Sequence, residues 1–380
     1  MPTTPIPRQE QISALLAERI TAGDFPSAVY LVAENNRIVF GAALGQAVRK
    51  PSHPAMFETI YDLASLTKPL VTGLLCARLV ELGELTLDSS LANYLGEFDR
   101  ADKHAVTVRQ LLVHTSGLPA WRPLYITSGG EREAALGAIA SEPLEHQPDT
   151  QVVYSDLNFI VLGFLLERLT GKPLAQLAQQ EIFEPLDLQR TFFNPAAATQ
   201  TGVAACETGN AYERDMCETS SPGHEYSGWR ENMIWGEVHD GNAHFLGGVA
   251  GHAGLFSTAP ETLRLANQFL GNLSQLLEAE TCRLFRTNLT QGLNEARSIA
   301  WQLAATKDSS AGPSLPADAF GHTGFTGTSC WIDPHRDRVF ILLTNRTHAH
   351  SRPFANINSV RRQFHTLAVA ALDKQESAGT

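Results

Sequence analysis

A serine and a lysine three residues apart, in Ser65-Leu66-Thr67-Lys68, are the clearest chemistry-bearing residues of this sequence. On a helix, positions i and i+3 share a face, so the Ser65 hydroxyl and the Lys68 amine can meet. A serine hydroxyl is a weak nucleophile and needs an adjacent base. An ammonium is no base, so the pairing implies that Lys68 sheds its proton near neutral pH. Burial and the positive end of a helix dipole both favour the neutral amine. Pro69 suits a first helical turn and would bring Ser65 close to that end. A plainer role also fits, in which Ser65 or Thr67 merely caps a helix. Two further clusters stand out. Tyr154-Ser155-Asp156 precedes Leu157-Asn158 and an apolar run, and Gly321-His322-Thr323-Gly324-Phe325-Thr326-Gly327 precedes a strand-like stretch. Taken alone, Tyr154 also reads as a core aromatic with a bonded hydroxyl, and His322 as a loop histidine. Other signatures are missing: there is no G-x-S-x-G and no H-E-x-x-H, and Lys172, the one lysine after a glycine, is followed by Pro173.

The elements that must hold these residues can be read coarsely. Residues 9–21 have Ile12, Leu15, Leu16 and Ile20 on one helical face. Residues 27–33 and 37–43 flank Asn35-Asn36, a good hairpin turn. Toward the other end, residues 329–333 and 339–344 read as strands and 357–373 as a helix. The middle differs. Residues 70–82, 108–114, 158–170 and 173–182 read as helices, and 194–247 as long loops rich in Gly, Asn, Ser and Thr. The simplest architecture is an α/β (α+β) fold in which the two chain ends share one antiparallel sheet flanked by helices. Residues 1–68 and 248–380 would form that sheet domain, with 69–247 inserted as a largely helical subdomain. A cleft is expected where the two meet.

The chain has 380 residues, ample for a large core without metal or disulfide staples. Its net charge of −11 argues against nucleic-acid or anionic-membrane surfaces, which want clustered Lys and Arg. The apolar runs are too short to span a bilayer. The amino-terminal stretch has no basic segment followed by an apolar core, so a cytoplasmic protein is expected. Five widely spread cysteines with no CxxC pair read as reduced thiols, although Cys206 and Cys217 are close enough in sequence to bridge.

In this order, the three clusters resemble those of the serine β-lactamase and penicillin-binding-protein superfamily. The resemblance is to its class C β-lactamase-like and esterase subgroup, where Tyr is the second motif and His-Thr-Gly often replaces Lys-Thr-Gly. Residues 111–118 (LLVHTSGL) and the run Leu343-Thr344-Asn345-Arg346 fit the same subgroup, so that the likeness spans residues 25–350. It implies that Ser65 is acylated and that Lys68 and Tyr154 share the general-base work. Lys68, and His322 when protonated, would stabilise the Tyr154 phenolate. The N–H groups of Ser65 and Phe325 would form the oxyanion hole. Asp156, Thr323, Gly324 and Phe325 would contact substrate, with Gly324 letting it lie against the strand. Two departures matter: Asp156 stands where the family usually has Asn, and His322 where penicillin-recognising members keep Lys. Both point to an esterase-like serine hydrolase acting on a small-molecule ester or amide, with no cofactor and no metal. A penicillin-binding sensor or D,D-peptidase-like acyl acceptor is the alternative. The segment 236–252, which holds His239, Asp240, His244 and His252, is expected at the cleft entrance. Its spacing matches no standard metal site, and loop-anchoring hydrogen bonds are the simpler role. Trp121, Trp229, Trp235 and Tyr226 fit either the pocket wall or the core.

Overall fold

The computed structural model describes residues 8–220, 226–349 and 352–378. Strand β1 (Ser27–Glu34) turns at Asn35 and Asn36, both with positive φ (51° and 62°), into β2 (Arg37–Val48). Left-handed conformations at both turn residues match the twist of a tight hairpin, and Asn tolerates them. On its other edge β1 pairs antiparallel with β10 (Arg338–Thr344), Ala28 opposite Thr344 and Glu34 opposite Arg338. Strands β9 (Ser329–Asp333), β8 (Phe320–Thr323) and β7 (Gln302–Leu303) follow outward from β10, and β3 (His53–Pro54) borders β2. The result is one seven-stranded antiparallel sheet in the order β3-β2-β1-β10-β9-β8-β7, built from both chain ends.

Side-chain alternation divides this sheet into two cores. Tyr30, Val32, Phe340 and Leu342 point to the face covered by the helices Arg8–Thr21 and Asn358–Ala378, against Leu16 and Phe364. Val29, Leu31, Ile341 and Leu343 point the other way, into a core shared with the helices Leu74–Glu81 and Asp156–Thr170. Asn345, just beyond β10, joins the ends: its Oδ1 accepts from the Ser27 N–H (2.9 Å) and its Nδ2 donates to the Ala47 carbonyl (2.9 Å).

The structure departs from the sequence reading in three places. The helix expected over 70–82 opens with a wide π-helical turn, Lys68–Gly73. Residues 211–220 form a helix inside the stretch read as loops; its AYERDMCETS sequence carries no apolar stripe. A small three-stranded sheet, β4 (Tyr61–Asp62), β6 (Leu255–Ser257) and β5 (Phe192–Phe193), went unseen because two- and three-residue strands show no period. All five cysteines are free, so Cys206 and Cys217 are unbridged, and Cys217 Sγ lies 3.2 Å from the Tyr125 hydroxyl. No helix among the described residues is long and apolar enough to cross a membrane.

Candidate active site

Strand β4 delivers the chain to the turn that carries Ser65. Ala64 has φ +47°, a left-handed conformation rare for a residue with a Cβ and costing about 1–3 kcal/mol. What holds it is Asp62, whose carboxylate accepts from the Ala64 N–H and from the His239 N–H, both at 2.8 Å. Thr67 Oγ1 donates back to the Ala64 carbonyl (2.7 Å) and accepts from the Leu255 N–H (3.1 Å). Neither Ser65 nor Thr67 caps a helix through its side chain.

Lys68 is fully buried, and its ammonium meets three acceptors: Asp156 Oδ1 at 2.6 Å, Ser65 Oγ at 3.0 Å and the His252 carbonyl at 3.1 Å. Two hydrogen bonds and one close ion pair favour the charged form. Burial by itself would push the amine down, but the Asp156 carboxylate and then Tyr154 outweigh it, and the group lies above its ordinary value. The expectation of a neutral lysine therefore fails in the resting site, because the carboxylate at position 156 was not counted as its neighbour.

Tyr154 lies beside this ammonium, 4.9 Å from Lys68 Nζ to the ring centroid. Burial raises the phenol, and Lys68 works against that rise. The His114 ring packs 4.7 Å from the Tyr154 ring, and its Nδ1 accepts from the Ser155 N–H at 3.0 Å. Ser155 then caps the helix Asp156–Thr170 through the Asn158 N–H. In this way residues 114–116 fix the chain at 154–158; Ser116 Oγ adds a 2.7 Å bond to Asn158 Oδ1. His322 is buried, with Nδ1 2.9 Å from the Thr323 carbonyl. Burial, then Arg297 and Lys68, hold it well below the ordinary histidine range, so it is neutral near pH 7. The second cation at Tyr154, beside Lys68, is Arg297, whose guanidinium carbon lies 5.5 Å from the ring centroid.

The loop after β8 is laced to β4. Thr326 Oγ1 donates to the Asp62 carbonyl (2.7 Å), Thr328 Oγ1 to the Leu63 carbonyl (3.0 Å), and the Gly324 N–H to the Thr328 carbonyl (2.8 Å). Gly324 is needed for that approach, because a Cβ there would sit 2.5 Å from the Leu63 carbonyl oxygen and 2.1 Å from Thr328 Oγ1. The glycine thus makes room for the turn that carries Ser65. Arg346 donates through Nε and Nη2 to the Phe325 carbonyl and fixes that residue.

Ser65, Tyr154, His322, Thr323, Gly324 and Phe325 all line one cleft of about 440 Å³. Lys68 is buried behind Ser65, and Asp156, its side chain 20% exposed, turns Oδ1 to Lys68. The rest of the lining is polar: Arg346, which belongs to the run 343–346, and Arg297, Gln302, Asn356, Asn358 and Arg361, which no motif marked. Arg297 is 4% exposed; Nε and Nη2 bond Glu295, while Nη1 is buried with no hydrogen-bond partner among the described residues. Arg346 and Arg361 spend donors on carbonyls of Phe325, Ala355 and Thr328 and on Asn358.

Segment 236–252 does not line this cleft. Asp240 caps the short helix Gly241–Phe245, Asn242 clamps the backbone of Arg122 and Leu124, and His239 Nε2 lies 2.9 Å from Glu207. His252 Nε2 lies 2.8 Å from Asp240 Oδ1, behind the carbonyl that receives Lys68. No cluster of His, Cys, Asp or Glu suited to a metal occurs among the described residues. Three of the aromatic candidates are held elsewhere: Trp235 Nε1 donates to the Val203 carbonyl, and Trp229 and Tyr226 pack with Tyr125.

The family model Beta-lactamase matches residues 12–362. A protein of Escherichia coli (strain K12) named putative D-alanyl-D-alanine carboxypeptidase is 30% identical over 372 residues, covering 90% of this chain and 83% of the relative. A Bacillus subtilis (strain 168) protein named N-acetylmuramyl-L-alanine amidase is 34% identical over 366 residues, covering 88% and 80%. Among solved structures, EstCE1, a hydrolase with promiscuous acyltransferase activity, superposes with a TM-score of 0.73 at 23% identity, covering 95% of this chain and 98% of EstCE1. A penicillin-binding-protein homologue from Caulobacter crescentus gives 0.73 at 21%, covering 97% and 99%. At those identities the superpositions speak for the fold. Family match, relatives and fold together make the chain a member of the beta-lactamase family, a hydrolase built on the serine β-lactamase fold.

Proposed function

We propose that the protein hydrolyses a small ester or amide through an acyl-enzyme on Ser65. The observation that carries this reading is the 3.0 Å contact between Ser65 Oγ and Lys68 Nζ at a cleft wall shared with Tyr154 and His322-Thr323-Gly324. Ser65 Oγ attacks the carbonyl and gives its proton to Tyr154, whose phenolate is stabilised by the Lys68 ammonium and the Arg297 guanidinium. The Ser65 and Phe325 N–H groups receive the oxyanion, each worth about 3 kcal/mol in sites of this kind. Tyr154 then returns the proton to the leaving group, and water attacks the ester of Ser65 to close the cycle. With Asp156 turned away, no carboxamide at that position reaches a substrate amide, which favours esters.

A second reading, cleavage of a cell-wall peptide amide, is favoured by the names of the two curated relatives and by the arginines in the cleft. Intact mass followed over time with a short-chain p-nitrophenyl ester, and separately with a penicillin, divides the two. Rapid ester turnover without a lasting mass shift supports the esterase. A long-lived penicillin adduct shifts the assignment to a peptidase or sensor.

Arg297 gives a further expected result. Its buried Nη1 lacks an acceptor, and a substrate carboxylate would supply one through a charge-assisted bond. Such bonds contribute roughly 1.5–3 kcal/mol. Arg297→Gln is therefore expected to raise KM about 10- to 100-fold for an ester bearing a carboxylate, and far less for a neutral ester of similar size. Equal effects on both esters would show that Arg297 does not read substrate charge.

A further inference from the structure

We propose that Asp156 is the counter-ion of Lys68, a positioning residue that sets the pH range in which Ser65 is nucleophilic, and not a substrate ligand. The proposal rests on the reading of Ser65 as the nucleophile. Its geometric basis is threefold. Asp156 opens the helix Asp156–Thr170, and its backbone N–H is tied to the Ala120 carbonyl at 2.8 Å, so the side chain has a fixed origin. From there Oδ1 reaches Lys68 Nζ at 2.6 Å, the shortest of that ammonium's three contacts. That Oδ1 is itself buried, so the carboxylate oxygen that faces Lys68 is closed to solvent.

The groups that face Lys68 come from every element around it. Ser65 lies on its own turn, and Tyr154, Asp156 and Phe159 on the chain entering the long helix. The His252 carbonyl comes from the segment below, with Asp240 bonded to that imidazole. Arg297 and His322 stand near Tyr154. Among them Asp156 is the one carboxylate in direct contact with the ammonium.

A carboxylate at that place stabilises the protonated amine and disfavours a neighbouring phenolate. Both effects are present here: Asp156 raises Lys68 and also raises Tyr154. Either group is a base only when deprotonated, so reactivity climbs with pH through its pKa. Removing the carboxylate lowers both, and the acid limb must move to lower pH whichever of the two receives the Ser65 proton. Where related sites carry Asn, this chain has a site poised for alkaline conditions.

An ethoxy fluorophosphonate tests this without knowledge of the natural substrate. Ser65 Oγ forms the O–P bond, the P–F bond breaks, fluoride leaves, and the Oγ proton passes to the base. The second-order rate is read by intact mass between about pH 5 and 10. Both candidate bases lie above their ordinary values, so the wild-type rate is expected to be still climbing at the top of that range. In Asp156→Asn the limb is expected to fall by about one pH unit or more, which below the limb is about a tenfold faster reaction. Asp156→Glu keeps the charge and should keep a limb close to that of the wild type. A wild-type limb below about pH 7 overturns the proposal without any variant. So does an Asp156→Asn limb that coincides with wild type, or an Asp156→Glu limb that moves as far as that of Asn. Ser65→Ala run alongside separates the two claims: labelling that persists there, or a wild type that is never labelled, removes the nucleophile assignment and this proposal with it. An unlabelled Ser65→Ala with an unmoved Asp156→Asn limb removes the Asp156 proposal alone.

Discussion

Replacing Ser65 by alanine is expected to abolish ester turnover, with a loss on the order of 10⁴-fold or more in kcat, while the fold survives. Nucleophile deletions in serine hydrolases remove the covalent route altogether, and what remains comes from binding and oxyanion stabilisation. The structural cost should be small. Ser65 Oγ supplies one of three acceptors around Lys68, and the other two, Asp156 and the His252 carbonyl, stay in place. One lost hydrogen bond to a charged group costs roughly 1.5–3 kcal/mol. Thermal unfolding should therefore show a shift of a few degrees at most, and intact mass after mixing with an activated ester should show no adduct. Turnover that persists in a folded Ser65→Ala protein would falsify the assignment.

Tyr154→Phe is expected to lower kcat by about 10² to 10⁴, the range typical of a lost general acid–base group, with KM nearly unchanged. The variant keeps the ring, and with it the packing against His114 (4.7 Å) and beneath the Arg297 guanidinium (5.5 Å). Only the hydroxyl goes, so the change isolates proton transfer from packing. Rapid-quench measurements with a p-nitrophenyl ester would locate the loss. If acylation slows, Tyr154 accepts the Ser65 proton; if a stable acyl-enzyme accumulates instead, it serves water attack. A variant with wild-type rates in both steps would leave Lys68 as the sole base and remove Tyr154 from the chemistry.

The legible parts of this molecule were those with a period or an ordered motif. Val29, Leu31, Tyr30 and Val32 alternate between two cores, and that alternation is visible in the residue string. Ser65, Tyr154 and His322 occur in family order and were found by it; the structure brings them to one cleft. What stayed hidden depends on three-dimensional neighbours. Asp156 is written beside Tyr154, but its contact with Lys68 crosses from one element to another, and a local reading assigned it to substrate. Arg297 lies in a motif-free stretch and gains meaning only when the loop before β7 passes Tyr154. His252 contributes a backbone carbonyl, which no side-chain pattern encodes. The charge state of Lys68 was misjudged for the same reason, since it follows from the sum of these neighbours.

The pairing of β1 with β10 joins the two ends of the chain, Ala28 with Thr344. Loop-closure entropy of that scale makes such contacts slow to form. During synthesis β1 and β2 emerge early but have no partner on the β10 side until nearly the whole chain is made, and an unpaired apolar edge invites association in the meantime. The Ser65 turn inherits the delay, because the loop that braces it, Thr326 and Thr328, belongs to the late-arriving half. The Ser65 turn is thus braced only once the last third of the chain has folded against it.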